Sequence, residues 1–283
     1  MSRSRRAELV LLSITLIWGG TFAVVKFALS DASPLTFLAL RFGAAALIFP
    51  LIYRKNYFSM DRETLLGGLL LGLLLMIGFA FQTVGLKYTT ASKSAFITGL
   101  LVAFTPIAQA VIEKRMPGKG NLIGVVLVAI GLFLLTSPGG QRLNIGDVLT
   151  LFCAISYAIY IVYLDIFSKK HDASNLTLLQ LGVTSLLSLT VAPFVETMHV
   201  HFTTGFVWAL LYTSILATVF ATYLQTKYQR DTTPVRAAII FSMEPVLANV
   251  IAFFAFGEFV GWVGAIGGAF IIAGLLASEL LDR

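Results

Sequence analysis

Ten stretches of this chain carry few charges, and most are long enough to cross a lipid bilayer. They are residues 10–29, 34–53, 65–86, 94–112, 122–135, 148–167, 176–195, 206–225, 237–256 and 260–280. A helix needs about 20 apolar residues to span the hydrocarbon core, with tolerance from about 17 to 25. The fifth stretch is short and extends by a residue or two at each end. The connections are short, leaving no room for a separate soluble domain. With 58% hydrophobic and 12% charged residues, the chain cannot cover a water-facing surface. The same composition excludes a disordered chain and a nucleic-acid binder. The expected fold is an all-α polytopic membrane protein with ten transmembrane helices and the lipid bilayer as a partner.

The net charge of +6 is explained by position. With the N-terminus inside, fifteen of the twenty Lys and Arg fall in cytoplasmic segments: Arg3, Arg5, Arg6, Arg54, Lys55, Arg62, Lys114, Arg115, Lys119, Lys169, Lys170, Lys227, Arg230, Arg236 and Arg283. The outer connections hold only Lys87, Lys93 and Arg142. Short loops rich in Lys and Arg stay in the cytoplasm. Both termini are therefore expected there. The segment Met1–Arg6 is basic like the start of a signal peptide. The apolar run after it is too long and lacks a small-x-small cleavage site, so a retained helix is expected.

The chain also repeats itself weakly at a shift of 143 residues. Thr89-Thr90-Ala91-Ser92-Lys93-Ser94-Ala95-Phe96-Ile97 falls on Thr232-Thr233-Pro234-Val235-Arg236-Ala237-Ala238-Ile239-Ile240. Ile123-Gly124 and Gly131-Leu132 fall on Ile266-Gly267 and Gly274-Leu275. Five spans per unit is an odd number, so the second unit must sit upside down relative to the first. Two inverted-topology five-helix repeats, 1–139 and 140–283, are expected. Such halves suit alternating access, since exchanging their conformations turns an outward-open state into an inward-open one.

Catalytic and metal signatures are missing. There is one cysteine, Cys153, which matches no ligand spacing, and His171, His199 and His201 all lie between the apolar runs. HExxH, the Walker A loop and GxSxG are absent. No cofactor and no enzymatic activity are expected.

Several short pieces together resemble a known family. They are Ile17-Trp18-Gly19-Gly20-Thr21-Phe22, Leu40-Arg41-Phe42, Ser94-Ala95-Phe96-Ile97-Thr98 with Pro106, Met243-Glu244-Pro245, Gly257-Glu258 and the 264–274 region. In this order, over ten spans, the chain is similar to the EamA group of the drug/metabolite transporter superfamily. The resemblance implies a 5+5 bundle in which spans one to four and six to nine surround a central cavity, with five and ten as lateral supports. It also implies export of amino acids and other small metabolites from the bacterial cytoplasm across the plasma (inner) membrane.

A transport site should lie near mid-membrane between the halves. Trp18 stands roughly 12 Å into the first stretch, beside two glycines that let a neighbour or a solute approach. It either walls a cavity or packs a thinned helix pair. Glu244, followed by Pro245, is an ionisable group at depth and so usually faces a polar interior. It could bind a cationic group or a proton, making protons a candidate coupling ion, or it could satisfy donors near the proline. Arg41 could hold a substrate carboxylate, snorkel, or pair with another helix. Tyr157, Tyr160 and Tyr163 form a drifting stripe that either lines a cavity or packs. Gln82, Thr98, Gln180, Thr184 and Ser242 offer neutral hydrogen bonds. The expected substrate contacts are Trp18, Arg41, Gln82, Thr98, Tyr157, Tyr160, Ser242 and Glu244. Lys26 is expected to snorkel, Asp165 to pair with Lys169, and Gly68-x3-Gly72 and Gly264-x3-Gly268 to allow close packing. The function these observations favour is secondary transport of a small metabolite. A channel, a structural membrane protein, and a multidrug or sugar-phosphate carrier are the alternatives.

Overall fold

The computed structural model describes residues 2–53, 60–136, 144–247 and 261–281. Arg54, Lys55, Arg142, Gly257, Glu258, Arg283 and the expected 139/140 boundary lie outside them. Among the described residues the chain is helical, with one isolated bridge between Ala32 and Val200. In hydrocarbon only structures that satisfy their own backbone can span, and helices do so segment by segment.

The helices are α1 (Arg3–Gly19), α2 (Thr21–Ala28), α3 (Pro34–Ile52), α4 (Arg62–Tyr88), α5 (Ala91–Gly99), α6 (Leu101–Ile112) and α7 (Lys119–Thr136). Then come α8 (Ile145–Lys170), α9 (Ala173–Val195), α10 (Thr204–Leu211), a π-helical segment (Tyr212–Phe220), α11 (Ala221–Tyr228), α12 (Pro234–Phe241) and α13 (Gly261–Leu281). Taken through their breaks, eight helical stretches among the described residues are long and apolar enough to cross a membrane. The fifth expected stretch forms the shorter α7. Residues 234–247 begin the ninth, whose remainder lies outside the described residues.

Polar side chains mark where helices start. Asp61 caps α4 through the Thr64 N–H at 2.9 Å. Asn144 and Asp147 bond each other's backbone N–H reciprocally at the start of α8, satisfying two donors a helix start leaves free. Thr90 and Thr233 cap α5 and α12 in the same way, through the N–H of Lys93 and Arg236.

Exposed Leu, Ile, Phe and Val cover the outside of the bundle, as lipid contact demands; Leu47, Val111 and Phe194 are examples. The larger of two core clusters includes Leu38, Phe42, Leu71, Ala158 and Ile239, and the smaller one includes Phe22, Phe37, Leu86 and Phe206. Helices α7 and α13 run antiparallel and meet at glycines. A Cβ on Gly131 would come within 2.6 Å of the Gly267 carbonyl oxygen, and one on Gly124 within 2.7 Å of the Gly274 oxygen. Gly68 and Gly72 likewise admit Leu179 and Val183 of α9. Among the described residues, a Cβ on Gly268 would make only ordinary contact, with Val246 at 3.9 Å, and the closest approaches of α13 are at Gly267 and Gly274.

Two expectations for charged residues resolve differently. Asp165 pairs with Lys169 at 2.6 Å, as one helical turn allows. Lys26 does not simply snorkel. Its ammonium donates to the Leu86 and Thr89 carbonyl oxygens, the free acceptors at the end of α4.

Candidate functional site: a cavity at broken helices

The site begins with interruptions in the helices. Between α1 and α2 the backbone breaks at Gly20, beside Trp18-Gly19. A break leaves carbonyls to satisfy, and side chains do so here. The Tyr212 hydroxyl donates to the Ile17 oxygen at 2.6 Å, and the Thr21 hydroxyl to the Trp18 oxygen at 2.8 Å. A Cβ at position 20 would meet the Tyr212 hydroxyl at 3.1 Å, so that side chain would have to give by a few tenths of an ångström. A second break, at Leu100, separates α5 from α6. A third, at Ser242-Met243, ends α12 before helical residues 244–247. Facing them, the backbone from Tyr212 to Phe220 is π-helical, a form concentrated at functional sites.

Between these elements lies a cleft enclosing about 670 Å³ of empty space, part of it open to solvent. Trp18, Thr21 and Phe22 line it from the first break, and Phe241 and Glu244 from the third. Arg41 lines it from α3, Phe79 and Gln82 from α4, Thr98 from α5, Tyr157 and Tyr160 from α8, and Thr222 and Gln225 from α11.

Arg41 is 2% exposed. Its Nε donates to the Thr218 hydroxyl at 2.8 Å, and its guanidinium carbon lies 4.8 Å from the Phe79 ring centre and 5.4 Å from that of Phe42. Ring faces attract a cation by about 2 kcal/mol where it is shielded from water. Among the described residues no carboxylate pairs with it. Glu244 stands in the first turn after its break, partly buried, and Pro245 beside it has no N–H to give. Its carboxylate takes no hydrogen bond or ion pair from the described residues.

The neutral groups are arranged around these two. The Trp18 indole donates to the Ala217 oxygen at 3.0 Å and meets Phe241 edge-on at 5.3 Å. Gln82 donates to Thr98 at 3.2 Å. The Tyr160 hydroxyl donates to Gln180 at 2.8 Å, and Gln180 donates to Thr226 at 3.0 Å. The Tyr157 hydroxyl is buried with no hydrogen-bond partner among the described residues. The third tyrosine of the stripe, Tyr163, stacks on Phe167 away from the cavity.

Of the eight residues singled out in the sequence, seven line this one cavity. Ser242 does not: its hydroxyl turns back to the Ala238 carbonyl at 3.0 Å, occupied by the end of its own helix. Gln180 and Thr184 hold helices, the latter by donating to the Gly72 oxygen at 3.1 Å. The sequence reading missed Phe79, Thr218 and Tyr212, whose parts depend on the π-helical segment and on crossings no local pattern announces. Gln225 did carry a signal, as an amide at the C-terminal end of an apolar stretch.

The model of the EamA-like transporter family matches residues 5–137 and again 144–279. The chain belongs to the EamA-like transporter family. It is a multi-pass membrane protein. Among relatives, an uncharacterized transporter of Archaeoglobus fulgidus is 34% identical over 97% of this chain and 86% of its own length. A probable amino-acid metabolite efflux pump of Escherichia coli is 33% identical over 59% of this chain and 54% of its own length. A solved crystal structure superposes with a TM-score of 0.81 at 19% identity, covering 99% of this chain and 98% of that one, a likeness of fold.

Proposed function

We propose that this EamA protein is a secondary carrier that exports a small zwitterionic metabolite, an amino acid or a close derivative, by alternating access across the bacterial inner membrane. One observation carries the reading. Arg41 and Glu244, opposite in charge and each without an ion partner among the described residues, line one mid-bundle cavity with aromatic and amide side chains. A buried charge left without a counter-ion is costly. A zwitterion would offset both, its carboxylate at the guanidinium and its ammonium at Glu244. The aromatic walls take an apolar side chain. The name of the E. coli relative agrees with an amino-acid cargo.

In this reading the halves before and after residue 140 are inverted repeats, and both termini are cytoplasmic. The 143-residue shift supports the repeat at four places. It relates the breaks at Leu100 and Met243, the caps Thr90 and Thr233, and the α7 glycines to those of α13. Moreover, Gly124 meets Gly274, and Gly131 meets Gly267. Crossed pairing of this kind is what a two-fold axis between antiparallel helices produces. Discontinuous helices at the repeat interface are a recurrent way to build a carrier's site.

The test is counterflow in proteoliposomes with an amino-acid panel, each member paired with its decarboxylated amine. Arg41→Gln should abolish exchange of the amino acids, and Glu244→Gln should weaken recognition of the ammonium. Unaltered exchange by both variants would remove the assignment.

A further inference from the structure

Two three-residue clusters stand at opposite ends of the bundle, and the repeat relates two of the three members of each. At one end Asp147, near the start of α8, accepts from the Thr89 hydroxyl at 2.6 Å and from the Lys93 ammonium at 2.7 Å. At the other end Glu8, in α1, faces the Thr232 hydroxyl at 3.4 Å and the Arg236 guanidinium at 3.6 Å. Thr89 and Lys93 map onto Thr232 and Arg236 by the same 143-residue shift. Lys93 and Arg236 are each the third residue of their helix, after a capping threonine. Each acid stands ten residues before an aromatic that lines the cavity, Trp18 after Glu8 and Tyr157 after Asp147. At a rise of 1.5 Å per residue, each cluster lies about 15 Å from the cavity along its helix.

We propose that these clusters are matched latches that hold the cavity's two mouths shut in turn. In the conformation described here the outer latch, Asp147 with Thr89 and Lys93, is engaged, and the cytoplasmic latch, Glu8 with Thr232 and Arg236, is slack. This rests on the reading of the chain as an alternating-access carrier. The clusters have equivalent partners but different tightness, and that difference carries the inference. The Asp147 and Lys93 side chains are 1% and 11% exposed, with both contacts at full hydrogen-bond length. Glu8 and Arg236 are each 17% exposed, their contacts are longer, and Glu8 is shared with the Ser4 hydroxyl at 2.9 Å. Arg236 also donates to the Ser278 carbonyl at 3.1 Å. Charge-assisted bonds are short when formed and strong when shielded from water. A less buried pair at 3.6 Å parts more easily than a buried pair at 2.7 Å, which must be traded for an equivalent one elsewhere. In two inverted halves, loosening one latch as the other tightens is such a trade.

The experiment places a reporter thiol in the cavity, Leu101→Cys in a Cys153→Ala background. It measures labelling by a membrane-impermeant maleimide in right-side-out and inside-out vesicles. Lys93→Met with Asp147→Asn should raise labelling from outside by about tenfold, as a population shift of that size requires. Glu8→Gln alone should raise cytoplasmic labelling and lower external labelling. Because Glu8 lies at a partly wetted end, this variant tests the proposal even if the buried pair is needed for folding. The charge-swapped pair Lys93→Asp with Asp147→Lys should return external labelling toward the parent. Variants that fold yet label within about twofold of the parent on both sides overturn the latches. A parent whose reporter changes sides with substrate, beside neutral latch variants, sinks the latches and keeps the carrier. A reporter that labels from neither side under any condition sinks the carrier reading itself.

Discussion

Replacing Gly267 by alanine tests whether the seam between α7 and α13 is set by backbone contact. The added Cβ would lie 2.6 Å from the Gly131 carbonyl oxygen and closer still to the Leu135 backbone nitrogen, and ordinary contact begins at 3.4 Å. Both atoms belong to a helix backbone and cannot turn aside, so the two helices must part by about 1 Å at the crossing, losing dispersion contacts along it. Gly182→Ala is the matched control. It too replaces a helical glycine, but a Cβ there meets nothing within 4 Å. Alanine's helix preference, about 1 kcal/mol over glycine, cancels in the comparison. What remains is the overpacking cost, about 1–3 kcal/mol. At about 2–4 °C per kcal/mol for a chain of this order of size, Gly267→Ala should unfold about 2–12 °C below Gly182→Ala. Thermal unfolding in mild detergent, followed by tryptophan fluorescence, reads the difference. Neither α7 nor α13 contributes a residue to the cavity lining, so substrate affinity should stay unchanged in the folded variant. Coincident unfolding temperatures for the two alanine variants would refute the steric account.

Trp18→Phe should keep the contact with Phe241 but leave the Ala217 carbonyl without its donor, costing about 1–3 kcal/mol. An unshifted melting temperature would contradict this. Tyr160→Phe removes the hydroxyl that orients Gln180, so counterflow should slow while the chain stays folded, and a parent-like rate would argue against a polar role. Asp61 is held below the usual carboxylate range by hydrogen bonds from the Thr64 side chain and N–H. Its contribution to stability is present above its unfolded pKa and is lost as pH falls through the lower folded value, so it should fade below about pH 4. Asp61→Asn retains a capping oxygen and should flatten that part of the acid slope in unfolding scans. Superimposable scans of parent and variant would reject the assignment.

The amino-acid sequence by itself determined that this chain lives in a bilayer, because runs of apolar residues and brief connections leave few other folds. It also pointed to Trp18, Arg41 and Glu244, since an indole beside two glycines and charges at depth are rare and costly in hydrocarbon. The tertiary structure decided which of these meet. Arg41 and Glu244 lie 203 positions apart, and only the packing of α3 and the broken α12 region around one cavity brings them to the same walls. Ser242 looked as suitable as Thr98, but a hydroxyl in a helix can always bond back to its own backbone, and which way it turns depends on its neighbours. Lys26 likewise found the carbonyls ending α4, acceptors that no pattern around residue 26 foretells. Periodicity and hydropathy are local, so they read spans. Pairing is a property of surfaces distant in the chain, so it waited for the fold.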